Sequence, residues 1–399
     1  MSASDIVILS GARTPHGKFL GGLSSLSAAE LGQYAFRAAV ERSHIRAEDI
    51  AEVIVGNVVS AGNGQALHRQ ISLKAGLPEQ IGGITINKVC GSGLKAIMLA
   101  ANGIKAGEGQ VYLAGGTESM SNAPYLNHSM RQGHKYGPVE LKDALQFDGL
   151  WCSICDWSMG DAAEFIAEKL EVQRDELDQF AARSQQLAGK AIESGAFRDE
   201  IVPVTIHSRK GDVVIEDDEG VRADTSVEIL DKLKPAFKEN GIVTAGNAPG
   251  MNDGASAVVV ASREYAEKND LPVMARIVSY AYAAVDPAWI FYAPVKAIPL
   301  ALEKAGWKMS DVDLVELNEA FGTQVLADLK GLEKDGHHIP LEKLNVNGGA
   351  IALGHPIGAS GARVLITLMY ALKARGLKRG LAALCLGGGE AVAMTIEIE

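Results

Sequence analysis

The sequence predicts a mixed α/β fold in which one unit occurs twice, and three observations lead there. Short β-branched runs alternate with longer stretches of helical period, the pattern of strands paired in parallel through helices. Three segments recur in the same order at nearly one spacing. Glycine is in excess, 44 of 399 residues or about 11%, against roughly 7% in average usage. No collagen-like period or low-complexity tract accounts for that excess, so it marks turns, tight packing and backbone close to a ligand.

Strands are expected at residues 6–9, 53–55, 111–113 and 257–260, each a short apolar run ending near small or turn residues. Helix-period stretches lie between them, notably 28–41 and 94–106. In the self-comparison Glu41 matches Glu303 and Asp49 matches Asp311, both at an offset of 262. Ser92-Gly93 and the helix after it match Ser360-Gly361 at 268, and Leu113-Ala-Gly-Gly116 matches Cys385-Leu-Gly-Gly388 with further slippage. The expected division is therefore 1–120 with 245–272 as an N-terminal half, 273–399 as a C-terminal half, and 121–244 as an insertion. The insertion carries Trp151, Trp157, two cysteines, a charged helix expected over 162–190 and the acidic run 216–219. It reads as a lid or an assembly element.

Composition narrows the function classes. The chain is 47% hydrophobic and 22% charged, which fits a soluble globular chain of enzyme size and argues against disorder. A net charge of −11 disfavours a nucleic-acid or anionic-membrane surface. No uninterrupted apolar run approaches the roughly 18 residues of a membrane span. Met1-Ser-Ala-Ser-Asp5 lacks the basic region of a secretory signal. Four cysteines make no disulfide framework, and a reducing cytoplasm is the expected location.

Four clusters carry chemistry. Cys90 follows a β-type run and precedes a helical pattern, with Gly91 and Gly93 allowing a tight elbow. A thiol at a helix N-terminus is expected to have a lowered pKa, while a buried structural cysteine is an equally weighted reading. His355, between Gly354 and Pro356 just before a helix, suits a base held in one orientation. Cys385 precedes Gly387-Gly-Gly389, whose bare backbone N–H groups suit an oxyanion hole. Asn318, at the end of a strand pattern, fits either the positioning of a water or carbonyl or an ordinary cap.

Other signals are weaker. Gly91-x-Gly93-x-x-Ala96 is a partial dinucleotide fingerprint with no acid near the expected spacing, so a nicotinamide oxidoreductase is an outsider. Cys152-Ser-Ile-Cys155 lacks a second pair and reads as packing. His128, His134, His207, His337 and His338 read as surface histidines without companion ligands, and no metal site is expected.

Taken together, the clusters resemble the thiolases along nearly the whole chain. The resemblance rests on Asn87-Lys-Val-Cys90-Gly-Ser-Gly, Gly115-Gly-Thr-Glu-Ser-Met120-Ser, Asn318-Glu-Ala-Phe, Gly354-His-Pro-Ile-Gly-Ala-Ser-Gly-Ala-Arg363 and Cys385-x-Gly-Gly-Gly, with Gly11-Ala-Arg-Thr-Pro-His-Gly-Lys near the start. It implies a duplicated five-layered α-β-α-β-α fold with an inserted loop domain, a homo-oligomer (a dimer or dimer of dimers), and ping-pong chemistry on coenzyme A thioesters. By that resemblance Cys90 takes the acyl group, His355 activates it, and Cys385 moves the proton at the α-carbon of the second thioester. The N–H groups of Cys90 and Gly387 would hold one oxyanion, and His355 with a water on Asn318 the other. Leu150, Met159, Arg222, Phe237, Ala245 and Ala320 match coenzyme-contacting positions, with Arg222 at the nucleotide end and Met159 shortening the acyl pocket, and Pro249 occupies a further such position where the family has serine.

The implied reaction is the reversible condensation of two acetyl-CoA to acetoacetyl-CoA and coenzyme A, with no further cofactor. The alternative is a degradative 3-ketoacyl-CoA thiolase with longer substrates. A non-catalytic acyl-CoA or lipid carrier would not need Cys90, His355 and Cys385 together. Three departures from the family pattern lie on the substrate side: Ser158 before Met159, Pro249 for serine, and Ile290-Phe-Tyr-Ala-Pro294 for Met-Gly-x-Gly-Pro.

Overall fold

Alternate side chains of β1 (Ile6–Arg13) enter two different cores, Ile6 and Ile8 into one and Val7 and Leu9 into the other. A strand covered on both faces has no solvent side to mark with polar residues, which is why its run is continuously apolar. The computed structural model describes residues 5–209 and 211–399. The residues on which the secretory-signal expectation rests, 1–4, lie outside the described residues.

The chain continues through α1 (Ala28–Ser43), β2 (Glu52–Gly56), α2 (Leu67–Lys74), β3 (Gly82–Ile86), α3 (Ser92–Ala106) and β4 (Val111–Ser119). After an excursion holding α4 (Met159–Lys169) and α5 (Arg174–Glu193) it returns as β5 (Asn252–Ser262). Then follow β6 (Ala275–Ala284), α6 (Pro294–Ala305), β7 (Leu314–Leu317), α7 (Gly322–Lys334), α8 (Ile357–Ala374), β8 (Arg379–Leu386) and β9 (Glu390–Ile398).

The strands form one sheet in the order β7-β8-β9-β6-β1-β5-β4-β2-β3. Read outward from the centre, β1-β5-β4-β2-β3 and β6-β9-β8-β7 are the same path. Each has antiparallel pairs near the centre and parallel pairs outside, and Leu344 bridges Val315 where the second copy lacks a full fifth strand. Even the register slips match, between Ile8 and Ser10 in β1 and between Ile277 and Ser279 in β6. The copies join where Ile6–Ile8 pair antiparallel with Ala275–Ile277.

Three cores separate five layers. The central one wraps α3 and α8 between the inner faces of the two halves, while α1 with α2 and α6 with α7 cover the outer faces. Helix α8 has the length and hydropathy of a membrane span, but 83% of it is buried inside this central layer.

The excursion departs from expectation in one place. The single charged helix expected over 162–190 is two helices, because Glu171 adopts a left-handed φ of 52° between α4 and α5. The acidic run is partly internal. Asp218 is buried and accepts from Nη1 and Nη2 of the buried Arg13 at 2.7 and 2.9 Å, while Glu200 accepts from Arg13 Nε at 2.6 Å. Burial drives the Asp218 carboxyl toward the neutral form, and the charge and hydrogen bonds of Arg13 outweigh it, so the pKa falls below the usual range.

Candidate active site

Three turns at the ends of strands and the starts of helices bring the site together. The first joins β3 to α3. Val89 sits at φ 48°, a left-handed conformation a β-branched residue rarely adopts and one that costs on the order of 1–3 kcal/mol. Side chains hold it there: Asn87 Oδ1 accepts from Val89 N at 2.9 Å, and Ser92 Oγ accepts from Lys88 N at 2.8 Å while donating to Val89 O at 2.7 Å. Cys90 stands at the apex, where the backbone N–H groups of Cys90 and Gly387 favour its thiolate form.

The second turn precedes α8. His355 is buried, with Gly354 before it at φ 94°. Its N–H donates to Asn252 Oδ1 at 3.0 Å, its Nδ1 lies 2.6 Å from Ser360 Oγ, and its Nε2 lies 3.5 Å from Asn318 Nδ2. Arg363 Nη2 reaches Asn318 Oδ1 at 3.3 Å, and Arg363 Nη1 lies 3.4 Å from Glu316 Oε2. Asn318 follows β7 and continues its ladder through a backbone bond to Ala383 O at 3.0 Å.

The third turn follows β8. Cys385 lies within the strand rather than in the glycine turn, and Gly388 and Gly389 adopt φ of 87° and 84° just beyond it. Cys385 is buried in an apolar cluster that includes Ile290, Phe291, Phe321 and Ala320.

Electrostatics overturn one expectation. The Cys90 thiol is not activated at rest: burial pushes its pKa up to about 12, with the charge of Glu118 adding and the two N–H groups opposing. A helix terminus does not compensate for an apolar enclosure. Cys385 is raised for the same reason, with Cys90 and Asp328 adding to burial. His355 moves the other way, lowered to about 3 by burial and by Arg363. Both thiols are therefore neutral and the imidazole is unprotonated, a resting set without charge that holds a base beside two acids.

Cys90, His355, Cys385 and Gly387 all border one cavity of about 470 Å³. Leu150, Met159, Phe237, Ala245, Pro249 and Ala320 border it too. Asn318 stands behind His355 rather than on the wall. Arg222 is exposed away from the cavity, with its N–H bonded to Gln185 Oε1 at 2.7 Å. Among the departures, Ser158 caps α4 in a box with Asp161, Ile290 and Phe291 face the cavity, and Tyr292 turns away against Gly331.

Several residues around the site escaped the sequence reading. Glu118 takes four N–H donors, from Val58, Val59, Asn57 and Gly358, and so locks the start of α8 to the end of β4. Burial raises its carboxyl to about 7 against those bonds. His16 supports the turn at His355 by an Nδ1 contact of 3.0 Å to Leu353 O, and burial lowers its pKa to about 3. Position within the quoted motifs was the only signal available for either.

The N-terminal thiolase domain model matches residues 6–264 and the C-terminal thiolase domain model residues 271–398. The acetyl-CoA acetyltransferase of Pseudomonas aeruginosa is 50% identical over 393 residues, 98% of this chain and 99% of that protein. The acetyl-CoA acetyltransferase of Cupriavidus necator is 48% identical over 395 residues, 99% of each chain. Among solved structures, the Bacillus anthracis acetyl-CoA acetyltransferase superposes with a TM-score of 0.96 at 43% identity, covering 99% of both chains.

Proposed function

The chain belongs to the thiolase family, and from that membership we propose that it is an acetyl-CoA C-acetyltransferase. It condenses two acetyl-CoA reversibly to acetoacetyl-CoA and coenzyme A. The names of the similar proteins favour this over a thiolase for longer chains. The observation that carries the residue assignment is the convergence of Cys90, His355, Cys385 and Gly387 on one cavity.

In the first half-reaction His355 Nε2 takes the Cys90 proton as the sulfur attacks the acetyl carbonyl. The N–H groups of Cys90 and Gly387 hold the oxyanion, and the carbon–sulfur bond to coenzyme A breaks. The departing thiolate takes the Cys385 proton, leaving acetyl-Cys90, an imidazolium and a Cys385 thiolate. In the second half-reaction that thiolate removes an α-proton from a second acetyl-CoA. The imidazolium, with a water on Asn318, stabilises the enolate oxygen. The carbanion attacks acetyl-Cys90, and the released Cys90 thiolate recovers its proton from His355. Every proton is returned, and no step calls for a metal or a resident cofactor.

The apolar surroundings of Cys385 serve this sequence. A thiolate generated in an environment that raises its pKa is a strong base, as an α-proton requires. Leu150, Met159, Phe237, Ala245, Pro249 and Ala320 would contact the acyl and pantetheine portions, and Arg222 the nucleotide end. We further assign 121–244 as the inserted loop domain between the halves 1–120 with 245–272 and 273–399. A cytoplasmic location would keep both thiols reduced. A homo-oligomer, a dimer or dimer of dimers, is supported by exposed Tyr125, Met130, Tyr136 and Leu141 on the excursion.

The test is mass spectrometry after incubation with acetyl-CoA. An acetyl group on the Cys90 peptide is expected, and its absence from intact, folded protein would contradict the assignment.

A further inference from the structure

We infer that Ser360 fixes His355 as the Nδ1–H tautomer, leaving Nε2 as the basic nitrogen available to the proton of Cys90, which borders the same cavity. The Ser360 hydroxyl has one proton, and its oxygen lies 2.9 Å from Pro356 O and 2.6 Å from His355 Nδ1. A carbonyl only accepts, so the serine proton goes to Pro356 O and the serine oxygen accepts from Nδ1–H.

The far side of the ring gives the same answer from different residues. A guanidinium only donates, so the atom of Asn318 that meets Arg363 Nη2 at 3.3 Å is its carbonyl oxygen. The Asn318 amide nitrogen must then face His355 Nε2, at 3.5 Å, where a donor requires a lone pair. Ser360 and Arg363, both on α8, thus specify one tautomer independently, and Asn252 Oδ1 holds the backbone of the same residue at 3.0 Å. Ser360 is also the counterpart of Ser92 in the other half, whose hydroxyl ties the elbow at Cys90. In both copies the serine on the helix holds the catalytic turn just before it.

Ser360 contacts the ring and not the cavity, so it is a positioning residue. The inference rests on the reading of His355 as the base for Cys90. Without an acceptor at Nδ1 the proton is free to move to Nε2, and a ring protonated there cannot receive the thiol proton.

Nitrogen-15 NMR of histidine-labelled wild-type protein reads the tautomer directly, with the His355 signals assigned by their loss in His355→Ala. A protonated Nδ1 and a pyridine-type Nε2 are expected, and the reverse overturns the proposal whatever the variants do. In Ser360→Ala the single-turnover acetylation of Cys90 should slow about 10- to 100-fold with little change in KM for acetyl-CoA, and Ser360→Thr should recover most of it. Acetylation of folded Ser360→Ala at the wild-type rate also overturns it. Wild-type acetylation by His355→Ala would instead overturn the assignment of His355 as base, leaving the tautomer result standing.

Discussion

Gly93 and Gly361 meet at the crossing of α3 and α8, where a Cβ on Gly93 would lie 2.6 Å from Ala362 N and one on Gly361 2.3 Å from Leu94 N. These are the residues that the internal duplication makes equivalent, so the two copies touch at matching positions. The helices they belong to begin beside Cys90 and His355. The close crossing therefore fixes the two turns relative to each other from inside the central layer.

Gly361→Ala is accordingly expected to destabilise the protein by more than a surface change would. The obstructing atoms are backbone and cannot rotate away, and overpacking of this kind costs about 1–3 kcal/mol or more. Urea unfolding measures it, and single-turnover acetylation should slow in the variant even where it remains folded.

Phe291 is buried on the cavity wall and packs on Phe321 with ring centroids 5.4 Å apart. Phe291→Ala should enlarge the acyl end of the cavity. The ratio of thiolysis rates for 3-ketohexanoyl-CoA over acetoacetyl-CoA should rise about tenfold. The same substitution should cost about 3–5 kcal/mol of stability. An unchanged ratio would mean that the acyl chain does not reach this wall.

With its pKa lowered to about 3, His355 is unprotonated between pH 5.5 and 8. Its competence as a base is lost only as pH falls toward that value. The rate of Cys90 acetylation should therefore show no limb near the usual imidazole pKa of about 6.5 between pH 5.5 and 8. Stopped-time mass spectrometry across that range checks it.

Glu316 is buried beside Arg363, and burial raises its carboxyl to about 8 against the attraction of that guanidinium. An acid whose folded pKa exceeds its unfolded value binds more protons when folded, so it loses stability as pH rises between the two values. Between pH 6 and 8 this group should remove about 2 kcal/mol. Glu316→Gln, which is neutral at every pH, should flatten that part of the pH dependence.

Much of this arrangement is legible in the residues themselves. The duplication can be read from Glu41 with Glu303 and Gly93 with Gly361, because repeated helices keep spacing through their own periodicity. Strand-to-helix turns at Cys90 and His355 follow from local glycine and proline patterns. What escapes is set by distant partners or by environment. Arg13 meets Asp218 across an excursion that no local pattern spans. The break at Glu171 carries no glycine to announce it. The raised pKa of Cys90 depends on enclosure by residues from both halves, which a position near a helix terminus does not reveal. The glycine excess also changes meaning. Gly93, Gly115, Gly116 and Gly361 serve close packing of helices and strands, where a Cβ would strike backbone, while Gly387 borders the cavity shared with Cys90 and His355.

Cys385→Ala tests most directly the division of labour between the two thiols. Mixed with acetyl-CoA, the variant should accumulate acetyl-Cys90 by mass spectrometry and form no acetoacetyl-CoA, whereas Cys90→Ala should form neither. Acetoacetyl-CoA produced by Cys385→Ala at the wild-type rate would show that another group removes the α-proton, and the account would fail.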